Sequence, residues 1–188
     1  MQIKKNIYLA GFMGTGKSTI GRELARFMGR KFIDMDKIIE RNEGMSVNSI
    51  FEEKGEEHFR EMELKVAREL SRQTNRVVAT GGGTLLNDQI RELFVQSGII
   101  ICLITNEEQL VSRLKRTDKR PLLKGYREEL NKKVSQLLEE RKNVYSGINI
   151  RIDTTNLTPQ EAAHKIIDIL KMKIRILDRL HDQYITIR

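Results

Sequence analysis

The chain has 188 residues and a formal net charge of +8, a length that suits one domain and leaves little room for a second independent core. Apolar residues make up 39% and charged residues 32%. That balance excludes a disordered chain, and no apolar run approaches the ~18 residues of a membrane-spanning helix. The positive charge suits a polyanionic partner but does not choose between nucleic acid and nucleotide.

Taken in chain order, residues 7–10 read as a short buried strand. A Gly-rich turn follows, then an amphipathic run from 17 to about 28, with Ile20, Leu24 and Phe27 at helical spacing and Gly29 as its stop. Phe32 and Ile33 form a second strand that closes at Asp34-Met35-Asp36. Helices are expected at about 37–41, 46–54 and 55–73. Residues 77–79 are the next strand, ending in Thr80-Gly81-Gly82-Gly83. Asn87 caps a helix that reaches about 97. Residues 99–104 form a continuous apolar strand, as expected in the middle of a parallel sheet. It carries the single cysteine, Cys102, read as a buried inert thiol. A helix over 107–115, a basic segment over 116–127, a long helix to about 145 and a strand over 149–152 come next. Thr158-Pro159-Gln160-Glu161 then supplies a cap, a Pro at the first helical position and a Glu two residues on.

Strands alternating with helices predict an α/β fold: three layers, with a central parallel sheet of about five strands flanked by helices. Residues 1–171 are expected to form one domain, with 172–188 as an extension of unassigned role. There Ile176, Leu177, Leu180 and Tyr184 could prolong the last helix, whereas 184–188 alternate like a short strand. The early first strand argues against a signal or transit peptide, so a cytoplasmic protein is expected. His58, His164 and His181 share no ligand spacing, which speaks against zinc.

Gly11-Phe12-Met13-Gly14-Thr15-Gly16-Lys17-Ser18 matches the phosphate-loop pattern G-x-x-x-x-G-K-[ST] between a strand and an amphipathic helix. Such a loop curls so that successive N–H groups face phosphate oxygens, and the new helix aims its positive end at the same place. Gly14, Thr15, Gly16, Lys17, Ser18 and Thr19 are the expected nucleotide contacts. Lys17 would reach the β- and γ-phosphates, and the Ser18 hydroxyl would ligate Mg²⁺. The motif says nucleoside triphosphate and leaves the class of reaction open.

Three clusters fall near strand ends, where open α/β sheets bind ligands. Asp34 and Asp36, read as alternating strand residues, would share one side; their bland reading is a solvated pair capping the next helix. Arg60 and Glu63 lie three apart on a helix, so the carboxylate can hold the guanidinium ready for a ligand carboxylate, or be an ordinary surface ion pair. Gly81, Gly82 and Gly83 suggest close backbone approach to a ligand, or simply a turn.

Together these residues resemble the shikimate kinase family, over about residues 5–171. The likeness rests on 11–19, Asp34-Met35-Asp36, the stretch from Gly44 to Glu63, Thr80 to Gly83, Arg120-Pro121-Leu122-Leu123, and Arg141 followed by Tyr145. The resemblance implies a kinase that moves the γ-phosphoryl of ATP onto shikimate, with Mg²⁺, in chorismate and aromatic amino-acid biosynthesis. It implies that Asp36 binds the acceptor hydroxyls and takes the proton, and that Arg60 and Arg141 hold the shikimate carboxylate. Gly82 and its neighbours would lie against the ring, and Asp34 would hold Mg²⁺ through water. Lys17, Asp36 and Arg120 are the implied catalytic set.

The basic residues of 113–127 are read as a mobile lid in which Arg120 closes on the phosphates and Arg116 stacks on adenine. The stretch between those two is short for the family. Residues 34–63 would be the acceptor-binding segment. A monomer is expected, with no nucleic acid or membrane partner. Two alternatives remain at this point: a kinase for another polyol acid such as gluconate, and a nucleotide-binding module without catalysis.

Overall fold

The computed structural model describes residues 4–115 and 129–185. Five strands, β1 (Asn6–Ala10), β2 (Lys31–Asp34), β3 (Arg76–Ala79), β4 (Gly98–Ile104) and β5 (Ile150–Asp153), form one sheet in the order β2-β3-β1-β4-β5. Every pairing is parallel. β1 takes the centre because it is apolar on both faces: all five of its residues are buried.

The alternation of β1 sorts the core into two layers. Ile7 and Leu9 face α1 (Lys17–Met28) and α8 (Pro159–Ile185), where Ile20, Leu24, Ala163 and Ile166 close the packing. Tyr8 and Ala10 face the opposite layer of α2 (Met35–Glu43), α3 (Val47–Glu53), α4 (Gly55–Ser71) and α5 (Asp88–Ser97). The Tyr8 ring stacks on Phe94 at 3.9 Å between centroids. Cys102 lies in this second layer, fully buried, and burial pushes its thiol up to about 11. A smaller cluster joins Phe12 and Met13 of the first turn to Leu110 and Leu114 of α6 (Glu107–Leu114) and to Val134 and Leu137 of α7 (Leu130–Ser146).

The layers and the parallel sheet agree with the sequence pattern; two local expectations change. β2 stops at Asp34 because that side chain accepts from Lys37 N–H and so caps α2. Asp36 therefore lies in the first turn of a helix, and strand alternation does not place the two carboxylates. The second change is at the other end of the chain. α8 is one helix of 27 residues, started by the expected box in which Thr158 N–H donates to Glu161 at 2.7 Å and Glu161 N–H to Thr158 Oγ1 at 3.2 Å. Tyr184 and Ile185 belong to that helix, not to a strand. Among the described residues no helix is long and apolar enough to cross a membrane.

Candidate active site

The order of the sheet reverses on either side of β1, and the turns after β1, β2 and β3 gather at the carboxyl ends of the strands. Residues 11–16 form the first of these turns. Gly14 and Gly16 sit at φ +85° and +92°, a region where a side chain would be strained. Thr15 Oγ1 donates to the Phe12 carbonyl at 2.8 Å and fixes the curl. Helix α1 then begins at Lys17 with Gly16 as its cap, no side-chain cap bond and no acid in its first turn. By contrast α2, α3, α5 and α6 are all capped by Asp, Ser or Asn side chains. The first amides of α1 and its positive end are thus left for an anion.

Lys17 is nearly buried and its Nζ donates to the Gly11 and Phe12 carbonyls at 2.8 and 3.0 Å. Ser18 Oγ donates to Asp34 Oδ2 at 2.6 Å. That pair of hard oxygens beside the loop is what a magnesium ion needs when phosphates and water complete its shell. Among the described residues no group of three or more His, Cys, Asp or Glu could hold a metal without such help. The cleft here, about 370 Å³, is lined by 14–20, Asp34, Asp36, Thr80, Gly82, Arg113, Thr154, Leu157 and Pro159. Arg113 was not singled out from the sequence as a contact of the loop; its Nη1 donates to the Gly14 carbonyl at 3.0 Å.

A second, smaller cavity adjoins the first. Its lining includes Asp36, Phe59, Arg60, Glu63, Gly81, Gly82, Gly83 and Arg141, and it shares Asp36 and Gly82 with the nucleotide-sized cleft. Six pieces of chain meet here: the phosphate loop at Met13, α2, α3 at Val47 and Phe51, α4, the turn after β3, and α7. The three glycines are wedged between the polar groups. A Cβ on Gly81 would lie 2.8 Å from Glu63 Oε1 and 3.0 Å from Asp36 Oδ1. One on Gly82 would lie 3.2 Å from Met13 N, and one on Gly83 3.0 Å from Arg60 Nη2. Any side chain on this turn would fill the cavity or displace its charged walls.

The two arginines are held differently. Arg60 pairs with Glu63 through Nη1, and with Glu56 through Nη2 at 2.7 Å and Nε at 3.2 Å. Glu63 is 1% exposed and also accepts from Thr84 Oγ1 at 2.5 Å, so this half of the pair is a fixed strut rather than a surface contact. Glu56 is half exposed, and such a pair is worth only about 0–1 kcal/mol, so a ligand carboxylate can replace it. Burial works against the Arg60 charge, but Glu63 and then Glu56 outweigh it, and the pKa is raised above the usual arginine value. Arg141 is 2% exposed. Its Nη1 donates to the Gly82 carbonyl at 2.8 Å and its Nε is buried with no hydrogen-bond partner among the described residues. Its guanidinium lies 5.3 Å from the centre of the Phe12 ring. A buried cation with a spare donor beside a cavity favours an anionic ligand. Arg116 and Arg120, and the lid expected at 116–127, lie outside the described residues.

The family model for shikimate kinase matches residues 13–171. The chain belongs to the shikimate kinase family. Among curated members, the shikimate kinase of Sulfurihydrogenibium sp. (strain YO3AOP1) is 44% identical over 90% of this chain and 99% of its own length. Among solved structures, the shikimate kinase from Acinetobacter baumannii in complex with shikimate is 38% identical, with a TM-score of 0.86 over 90% of this chain and 94% of that one. A gluconokinase from Sinorhizobium meliloti 1021 covers 97% of this chain and 99% of its own at 18% identity and a TM-score of 0.58. That likeness is one of fold alone. Shikimate kinases are ATP-dependent kinases, and the match spans both cavities.

Proposed function

We propose that this chain transfers the γ-phosphoryl group of ATP to a ring hydroxyl of shikimate, giving ADP and 3-phosphoshikimate. The observation that carries the proposal is the second cavity: two arginines, a carboxylate and a glycine turn around a space that opens on the phosphate loop. Shikimate has one carboxylate and several hydroxyls, which such a lining would bind at opposite ends.

In this reading the first amides of α1 hold the phosphates and the Lys17 ammonium turns from the loop carbonyls to the β- and γ-oxygens. Ser18, and Asp34 through water, would hold Mg²⁺, which would neutralise the phosphate charge. Arg60 and Arg141 grip the acceptor carboxylate, so the acceptor hydroxyl is set near Asp36. Asp36 takes the hydroxyl proton as the new O–P bond forms and the bridging bond to the γ-phosphorus breaks. Arg120 closes on the transferring group, and Arg116 lies on the adenine. Residues 1–171 act as one catalytic domain in this scheme, with 34–63 as the acceptor segment and 116–127 as the lid.

An ADP-release assay with shikimate and with gluconate tests the acceptor. Shikimate-dependent release with no response to gluconate is expected. Release with gluconate alone would overturn the assignment.

A further inference from the structure

The Gly82 carbonyl receives two donors from one helix. Arg141 Nη1 donates at 2.8 Å, and the hydroxyl of Tyr145, four residues further along the same face of α7, donates at 2.5 Å. We propose that Tyr145 is a positioning residue for the acceptor: its hydroxyl pins the Gly82 peptide, and through it the Arg141 guanidinium, in the arrangement that receives the acceptor's carboxylate. The inference rests on the shikimate reading above.

The reason lies in the turn itself. Three consecutive glycines have the widest choice of backbone conformations, so the 82–83 peptide could rotate at little cost. Rotation would swing the Gly82 carbonyl away from Arg141 and leave a buried guanidinium without its anchor. A carbonyl oxygen has two lone pairs, so it accepts both donors at once and is then held from two directions. Arg141 also hydrogen-bonds the Tyr145 side chain, and with Nη1 committed to Gly82 its buried Nε, which has no partner among the described residues, is left for an anion. Met13 N would lie 3.2 Å from a Cβ on Gly82, so the pinned peptide also sets the spacing between the phosphate loop and the acceptor cavity. Burial pushes the Tyr145 phenol up to about 12, so it remains a donor throughout the range in which a kinase is assayed. The ring packs against two apolar clusters, a task phenylalanine would do as well. The hydroxyl is the part that packing does not explain.

Tyr145→Phe in the full chain removes only that oxygen. One hydrogen bond of this kind predicts a rise in KM for shikimate of roughly 3- to 10-fold. KM for ATP and kcat are expected to stay within about 2-fold. Combined with Arg141→Lys, the two effects on shikimate should be less than multiplicative, because both act on the same carbonyl. An unchanged KM for shikimate, an equal rise in KM for ATP, or fully multiplicative effects would each overturn the proposal. If the variant does not fold, 3-fluorotyrosine placed at position 145 of the wild type gives the readout: its fluorine resonance should shift with saturating shikimate, and an unmoved signal sinks the idea. Wild type that phosphorylates no shikimate removes the acceptor reading itself. Active wild type with an unaffected Tyr145→Phe removes this inference alone.

Discussion

The nucleotide cradle and the acceptor cavity are neighbours built in opposite ways. The cradle is one continuous stretch, residues 11–19, and most of what it offers is backbone: a curled turn and the uncapped start of α1. The acceptor cavity is made mostly of side chains from α2, α3, α4 and α7 set around a turn with no side chains at all. A site of the first kind takes its shape mainly from its own backbone, with Phe12 and Met13 anchoring it on α6 and α7. A site of the second kind depends on buried struts such as Glu63 and Arg141, so its affinity is tied to the packing of the whole layer.

The sharpest way to break this comparison is at Asp36, one of the two residues both cavities share. Asp36→Asn keeps the shape but removes the proton acceptor, and kcat should fall by roughly 10²- to 10⁴-fold, the usual worth of a positioned base. A kcat near normal would leave Asp36 as a binding group only. Arg141→Lys comes next. It keeps the charge and loses the fork, so KM for shikimate should rise by roughly 30-fold, or about 2 kcal/mol, with KM for ATP little changed. Equal effects on both substrates would mean that the two sites are not separable.

The smallest contrast lies within Arg60's own partners. Glu63→Gln leaves a hydrogen bond but removes a buried charge beside a partly exposed guanidinium. It should cost about 1–2 kcal/mol, seen as a Tm lower by roughly 3–6 °C. Glu56→Gln should stay within about 0.5 kcal/mol, because that pair is exposed. Similar losses in both would show that burial does not distinguish the struts.

The same difference governs how much could be read without coordinates. The phosphate loop was legible because all its parts are adjacent and each is a residue type with a backbone consequence. β1, β3 and β4 were legible as short apolar runs, whereas β2 and β5 show only two apolar residues each, Phe32 with Ile33 and Ile150 with Ile152. Asp36 was assigned to the right neighbourhood but the wrong element: the capping action of Asp34 on Lys37, which ends the strand, looks in sequence like a continuing alternation. The Arg60–Glu63 pair was visible as a three-residue spacing, but the hydrogen bond that holds buried Glu63 comes from Thr84, 21 residues away. Tyr145 was visible only as a residue four after Arg141. Its acceptor, Gly82, is 63 residues distant, and no local pattern carries that contact. Arg113 looked like part of a basic run, and only the docking of α6 beside the loop brings it to Gly14.

The most direct test of the account is a crystal structure with shikimate and MgADP. It should place the shikimate carboxylate on Arg60 and Arg141, with a ring hydroxyl at hydrogen-bond distance from Asp36 and facing the phosphate loop. A carboxylate bound away from both arginines, or a ring whose hydroxyls all point away from Asp36, would contradict it.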